Sequence, residues 1–85
     1  MFLTLEELQQ AQNKVVGTRQ TTKALDSGSA LVVFIAEDAD EKITEPIVKS
    51  CSQKGIKLCH VDSMSQLGKA CNIKVGAAVA AVVAK

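Results

Sequence analysis

Between an apolar Val15-Val16 pair and Leu25 the chain reads Gly17-Thr-Arg-Gln-Thr-Thr-Lys-Ala-Leu25, a segment shaped like the start of a helix. Threonine is a mediocre helix former, so three threonines at the head of a helix point to a role other than propensity. With Thr18 as N-cap, Arg19, Gln20, Thr21 and Thr22 occupy the first turn, where free backbone N–H groups and the helix dipole make a ready anion site. Arg19 and Lys23 are four apart and share a face. Gln20 brings an amide that both donates and accepts, which is what reading a base edge requires. The chemistry of this face is anion and hydrogen-bond recognition, although an exposed polar first turn carries the same pattern.

Two other groups of residues have reactive types and weaker spacing. Cys59-His60 is the only place where a thiol and an imidazole are neighbours. A nucleophile and base must touch, and adjacent residues of a strand point to opposite faces, so the pair is not a catalytic dyad if the segment is a strand. Glu37, Asp38, Asp40 and Glu41 form a carboxylate cluster of the kind that hard cations favour. Acids between a strand and a helix also cap the helix and favour its positive end, which is the stronger explanation here. There is no glycine-rich phosphate loop of the Walker type and no HExxH pattern, and Cys51 and Cys71 fall on the apolar stripes of their helices as small core residues. The sequence predicts no enzyme, no cofactor and no metal.

The composition fits a binding protein of modest size. The chain has 85 residues, 47% of them hydrophobic and 22% charged, enough for one small core, and a single domain over 1–85 is expected. A net charge of +1 argues against coating nucleic acid through bulk electrostatics. The charge is segregated, however: residues 26–45 carry Asp26, Glu37, Asp38, Asp40, Glu41 and Glu45 against Lys42, whereas residues 46–85 carry six lysines against Asp62. A local basic surface is therefore compatible with a near-neutral total. Three unpaired cysteines without a CxxC motif and no basic or long apolar leader read as a cytoplasmic protein with reduced thiols. The apolar run Val75–Ala84 is about half the roughly 20 residues a membrane helix needs.

These residues must be positioned by alternating helices and strands. Thr4-Leu5-Glu6-Glu7 has the form of a capping box, and Leu5, Leu8, Ala11 and Val15 repeat at helical spacing, so a first helix is expected over about 4 to 14. A second helix runs from the Thr18 cap to Ser27, stopped by Gly28. Leu31–Ala36 lacks alternation and reads as a strand covered on both faces. The next helix is expected to begin at Thr44, which puts Pro46 in the first turn, and to end at Gly55. Ile56–Val61 reads as a second buried strand, Ser63 caps a short helix through Met64, Leu67 and Cys71, and the tail from Ala77 forms a last strand. The alternation implies a three-layer α/β/α sandwich.

In order and spacing, Gly17–Leu25, Val33–Asp40 (VFIAEDAD), Leu67-Gly-Lys-Ala-Cys71 and Val75-Gly-Ala-Ala78 resemble the kink-turn-binding ribosomal protein superfamily, most closely its small bacterial ribosomal-protein-like branch. The resemblance covers about residues 8–84. It implies an α/β/α sandwich around a small mixed four-stranded sheet, and binding to kink-turn RNA, a sharply bent helix with tandem sheared G·A pairs beside a bulge. By the same resemblance Gly17, Thr18, Arg19, Gln20 and Lys23 form the element that reads the widened major groove, and Ile73, Lys74 and Val75 form a loop that covers the bulged nucleotides. The implied partner is structured RNA, ribosomal or riboswitch, bound by a monomer that needs neither DNA nor a membrane. Arg19-Gln20 stands where archaeal and eukaryotic relatives commonly have Asn-Glu, and exchanging a carboxylate for an amide removes a charged acceptor for guanine N–H groups. The alternatives are a protein-interaction module of the same fold associated with the ribosome or RNA-processing machinery, and an enzyme acting at the acidic cluster.

Overall fold

A computed structural model describes residue 8 and residues 10–84. The elements are β1 (Lys14–Val16), α1 (Thr18–Ser27), β2 (Ala30–Ala36), α2 (Glu41–Lys54), β3 (Lys57–Val61), α3 (Met64–Ala70) and β4 (Val79–Val83). The strands form one mixed sheet in the order β1-β4-β2-β3, with β2 and β3 parallel and β4 antiparallel to both of its neighbours.

The sheet is covered on both faces. Val32, Phe34, Ala36, Ala80 and Val82 pack with Leu8, Leu67 and Ala70 on one side, while Val33, Ile35, Val79 and Ala81 pack with Ala24, Leu25, Ile47 and Cys51 on the other. The period of two along β2 and β4 divides the core in this way. The expected α/β/α sandwich is thus the observed one. One irregularity interrupts the pattern: Ala30 pairs with Val83 and Val32 with Val82, so Leu31 is an extra residue, extruded and 55% exposed.

Four sequence expectations need correction or restriction. Residues 4–7 and 9 of the expected first helix, including its Thr4 to Glu7 capping box, lie outside the described residues. Leu8 and Gln10 are helical, but the helix does not reach residue 14, because Lys14, Val15 and Val16 pair with Val82, Ala81 and Ala80. Helix α2 starts at Glu41 rather than Thr44, leaving Pro46 inside it. Asp40 decides this: its Oδ1 accepts from the Lys42 N–H at 2.9 Å, and the stripe Thr44, Ile47, Cys51 is buried only if the helix is already running at Thr44. Pro46 and Lys42, whose carbonyl the missing N–H would have met, are both on the exposed side, where water can satisfy that carbonyl. The strand expected over Ile56–Val61 begins at Lys57 and is half-buried rather than buried, because it lies at the sheet edge.

The glycine stops hold. Gly28 and Gly55 both adopt left-handed backbone and donate to carbonyls of the preceding turn. No helix among the described residues is long and apolar enough to cross a membrane.

Candidate functional site

The helix at residues 18–27 is launched by Gly17, not capped by Thr18. Gly17 has φ 97°, which a side chain would strain, and no side chain caps the helix. Its N–H donates to the Val79 carbonyl at 2.8 Å and its carbonyl accepts from the Thr21 N–H at 3.0 Å. Thr18 therefore occupies the first helical position, with its hydroxyl released from capping. The first turn contains no acidic residue.

Thr18, Arg19, Gln20 and Lys23 are exposed, while Thr21, Ala24 and Leu25 face the core. Neither Arg19 nor Lys23 makes an ion pair among the described residues. Two cations, a free amide and open backbone donors are thus presented together on a rigid element. The buried side holds one anomaly, the Thr21 Oγ1, which has no hydrogen-bond partner within the described protein. An unpaired buried hydroxyl costs about 1–3 kcal/mol. Thr21→Val keeps the shape and deletes that group, so it is expected to raise stability by about 1 kcal/mol in chemical denaturation; a loss would mean that the hydroxyl is satisfied after all.

The segment between α3 and β4 forms the second half of the site. Ser63 caps α3 by accepting from the Gln66 N–H at 3.1 Å. After Asn72, whose φ of 62° is left-handed, the Ile73 N–H donates to the Gly68 carbonyl at 3.1 Å, and the Ala77 N–H donates to the Met64 carbonyl at 3.0 Å. The loop is fastened to α3 at both ends. Ile73 is half-buried against the core, Lys74 is exposed, and Val75 is 71% exposed, the most exposed large apolar side chain described. Ile73 is therefore an anchor, and Val75 is the apolar group offered to solvent.

The sequence marks Gly68 only by its place in the Leu67-Gly-Lys-Ala-Cys71 motif. A Cβ there would fall on the Val75 carbonyl oxygen, with the Gly76 Cα 3.2 Å away, so only glycine lets the loop lie against α3. A glycine inside a helical pattern costs about 1 kcal/mol relative to alanine, and that cost is the signal that could have found it. Gly76 has an ordinary φ, and its constraint is contact: a Cβ would meet the Met64 Cβ at 3.0 Å and its carbonyl carbon at 3.3 Å. Gly76→Val is accordingly expected to destabilise the protein by about 1–3 kcal/mol through overpacking; a denaturation midpoint equal to the wild type would contradict that packing.

The sheet order brings the two halves together. Strand β1 neighbours β4, so the Gly17 turn and the loop that feeds Val79 lie at one end of the sheet, linked by the Gly17 to Val79 hydrogen bond. A groove of about 330 Å³ runs between the loop and α3, lined by the apolar Met64, Ile73 and Val75 and by the charged Lys69, Lys74 and Asp38.

The competing candidates do not assemble. Asp38 Oδ1 accepts from the Met64 N–H at 2.8 Å, Asp40 caps α2, and Glu37 Oε1 lies 2.8 Å from His60 Nδ1. No group of three or more metal-ligating residue types is gathered among the described residues. Cys59 packs toward the α3 side, whereas His60 lines a groove on the α2 side, so the two do not meet. Burial pushes the thiols of Cys51, Cys59 and Cys71 above their ordinary range, Lys57 pulling Cys59 and Lys14 pulling Cys71 slightly back, which lowers their reactivity.

Comparison with known proteins places this geometry in a group. The profile of the ribosomal protein L7Ae/L30e/S12e/Gadd45 family matches residues 2–85. An RNA-binding protein of Geobacillus sp. strain WCH70 is 44% identical over 81 residues, covering 95% of this chain and 99% of that one. The large ribosomal subunit protein eL8 of Halobacterium salinarum is 44% identical over 69 residues, 80% of this chain and 58% of that protein. The structure of a 15.5kD RNA binding protein of Giardia lamblia superposes with a TM-score of 0.84 at 29% identity, covering 95% of this chain and 68% of that one.

Proposed function

We propose that this chain, which belongs to the ribosomal protein L7Ae/L30e/S12e/Gadd45 family, is a non-enzymatic RNA-binding protein that recognises and stabilises kink-turn motifs. Relatives named as RNA-binding proteins support the RNA partner. The observation that carries the reading is the juxtaposition of an uncapped, acid-free helix start bearing Arg19, Gln20 and Lys23 with a loop that exposes Lys74 and Val75.

An ordinary A-form major groove is too deep and narrow for side chains, so a reader of paired RNA needs a bulge or kink. At tandem G·A pairs the widened groove admits the first turn of α1. Lys23 donates to guanine O6 and N7, the Gln20 oxygen accepts from a guanine edge, Arg19 reaches base or phosphate, and Gly17 lets the backbone approach. The aliphatic Val75 packs on an unstacked base, with Ile73 holding the loop from beneath. The chain has two phenylalanines and neither tyrosine nor tryptophan, so aromatic stacking is not its main device. Recognition of shape through few contacts is also compatible with a net charge of +1.

The test is a titration at fixed salt without Mg²⁺, against a kink-turn RNA and a control whose G·A pairs are replaced by Watson-Crick pairs. Tight binding to the first and weak binding to the second is expected. Equal, weak, salt-sensitive binding to both would reject kink-turn recognition and favour a protein-interaction role for the same fold.

A further inference from the structure

Three acids stand between β2 and α2. Glu37 meets His60 and Asp40 caps α2, but Asp38 reaches out of its own segment. Its Oδ1 accepts at 2.8 Å from the N–H of Met64, 26 residues later and the first residue of α3. A helix start leaves such N–H groups without a partner inside the helix. Ser63 satisfies one of them by accepting from the Gln66 N–H at 3.1 Å, and α3 has no acid in its own first turn. Asp38 therefore brings from a remote turn both a second acceptor and the negative charge that favours a helix start.

Met64 is also where the loop of the candidate site is attached. Its carbonyl accepts from the Ala77 N–H at 3.0 Å, and its Cβ is what a side chain at Gly76 would meet, at 3.0 Å. A single residue thus joins the turn after β2, the start of α3 and the segment that leads from Val75 into β4. Asp38 also lines the same groove as Lys69, Lys74 and Val75. A negative charge beside lysines that meet a polyanion opposes binding, so direct contact with phosphates does not account for Asp38. The bond to Met64 does.

We propose that Asp38 is a positioning residue for RNA recognition: by holding the Met64 N–H it fixes the start of α3, and through Met64 it keeps the loop that bears Lys74 and Val75 in its binding position. The proposal rests on the RNA-binding reading above. Without this bond the start of α3 and the Gly76-Ala77 segment loosen together, and apparent affinity falls with the fraction of molecules whose loop is in place. Asp38 acts on the loop half of the site alone. Arg19, Gln20 and Lys23 stand on α1, whose start is held by the Gly17 to Val79 hydrogen bond and not by Met64.

The test is a double-mutant cycle on a kink-turn RNA at fixed salt, with backbone amide exchange of the free protein measured alongside. D38A is expected to weaken binding about fivefold, the scale of one hydrogen bond. D38N keeps an oxygen acceptor without the charge and is expected to bind within about twofold of wild type. The loss from D38A should persist in a K23A background and vanish in a K74A/V75A background, where the loop has nothing left to place. A merely destabilising change would lower affinity equally in both. In the free protein, D38A should speed exchange of the Met64 and Ala77 amides and leave that of Thr21 unchanged. Wild-type affinity in D38A, tighter binding, failure of D38N to restore it, or an equal loss in both backgrounds would overturn the proposal. So would unchanged exchange at Ala77. That readout needs no RNA, so it separates failure of this proposal from failure of the kink-turn reading, which the wild-type preference for a kink-turn over its Watson-Crick control decides.

Discussion

Replacing Arg19, Gln20 and Lys23 together with alanine is expected to abolish measurable kink-turn binding while leaving the protein as stable as before. Loss of a single base contact costs roughly 1–3 kcal/mol, so Lys23→Ala alone should weaken binding by about one order of magnitude and the triple variant by considerably more. Stability should not fall. All three side chains are exposed and outside any ion pair among the described residues, and alanine is the best helix former. The measurement is a titration against kink-turn RNA paired with a melting curve. An unchanged affinity with an unchanged melting curve would remove α1 from the interface.

Gly68→Ala is expected to damage both stability and binding through a single methyl group. Two effects oppose each other at this position. Helix propensity favours alanine by about 1 kcal/mol. Against it, the new Cβ falls on the backbone carbonyl of Val75, an atom that cannot rotate aside as a flexible side chain would. Overpacking of this kind costs about 1–3 kcal/mol or more, so the clash wins and the Val75-Gly76 segment must lift from α3. The displaced segment carries Lys74 and Val75, so affinity for kink-turn RNA should fall beyond what reduced stability explains. Denaturation and titration at a temperature where the variant is fully folded separate the two effects. A Gly68→Ala protein that is more stable and binds normally would show that the loop does not need its close approach.

Much of the local structure was legible in the sequence because its causes are local. Gly28 and Gly55 stop helices through their own backbone freedom, Ser63 caps the helix that follows it, and the non-alternating run before Glu37 is buried on both faces apart from the extruded Leu31. The helix starts were less legible. Thr18 has a cap's chemistry, but Gly17 already supplies the conformation and bonds to Val79, a residue remote in sequence. Pro46 favours a helix start near Thr44, and yet the Asp40 cap and the buried stripe of α2 place it inside the helix.

By itself the sequence determined the alternation of helices and strands from residue 18 onward, the segregation of charge, and a polar, cationic helix start at Arg19, Gln20 and Lys23, since propensity, periodicity and residue type act over a few positions; it did not mark β1 as a strand. Only the tertiary structure decided that β4 enters the sheet between β1 and β2, that this sets the Gly17 turn beside the loop leading to Val79, and that Gly68 must lack a side chain for that loop to lie down. The physical reason is burial. Strands β2 and β4 are apolar on both faces and take the centre of the sheet, the half-buried β1 and β3, which carry Lys14, Lys57 and His60, are left at its edges, and the site assembles where that ordering brings remote segments together.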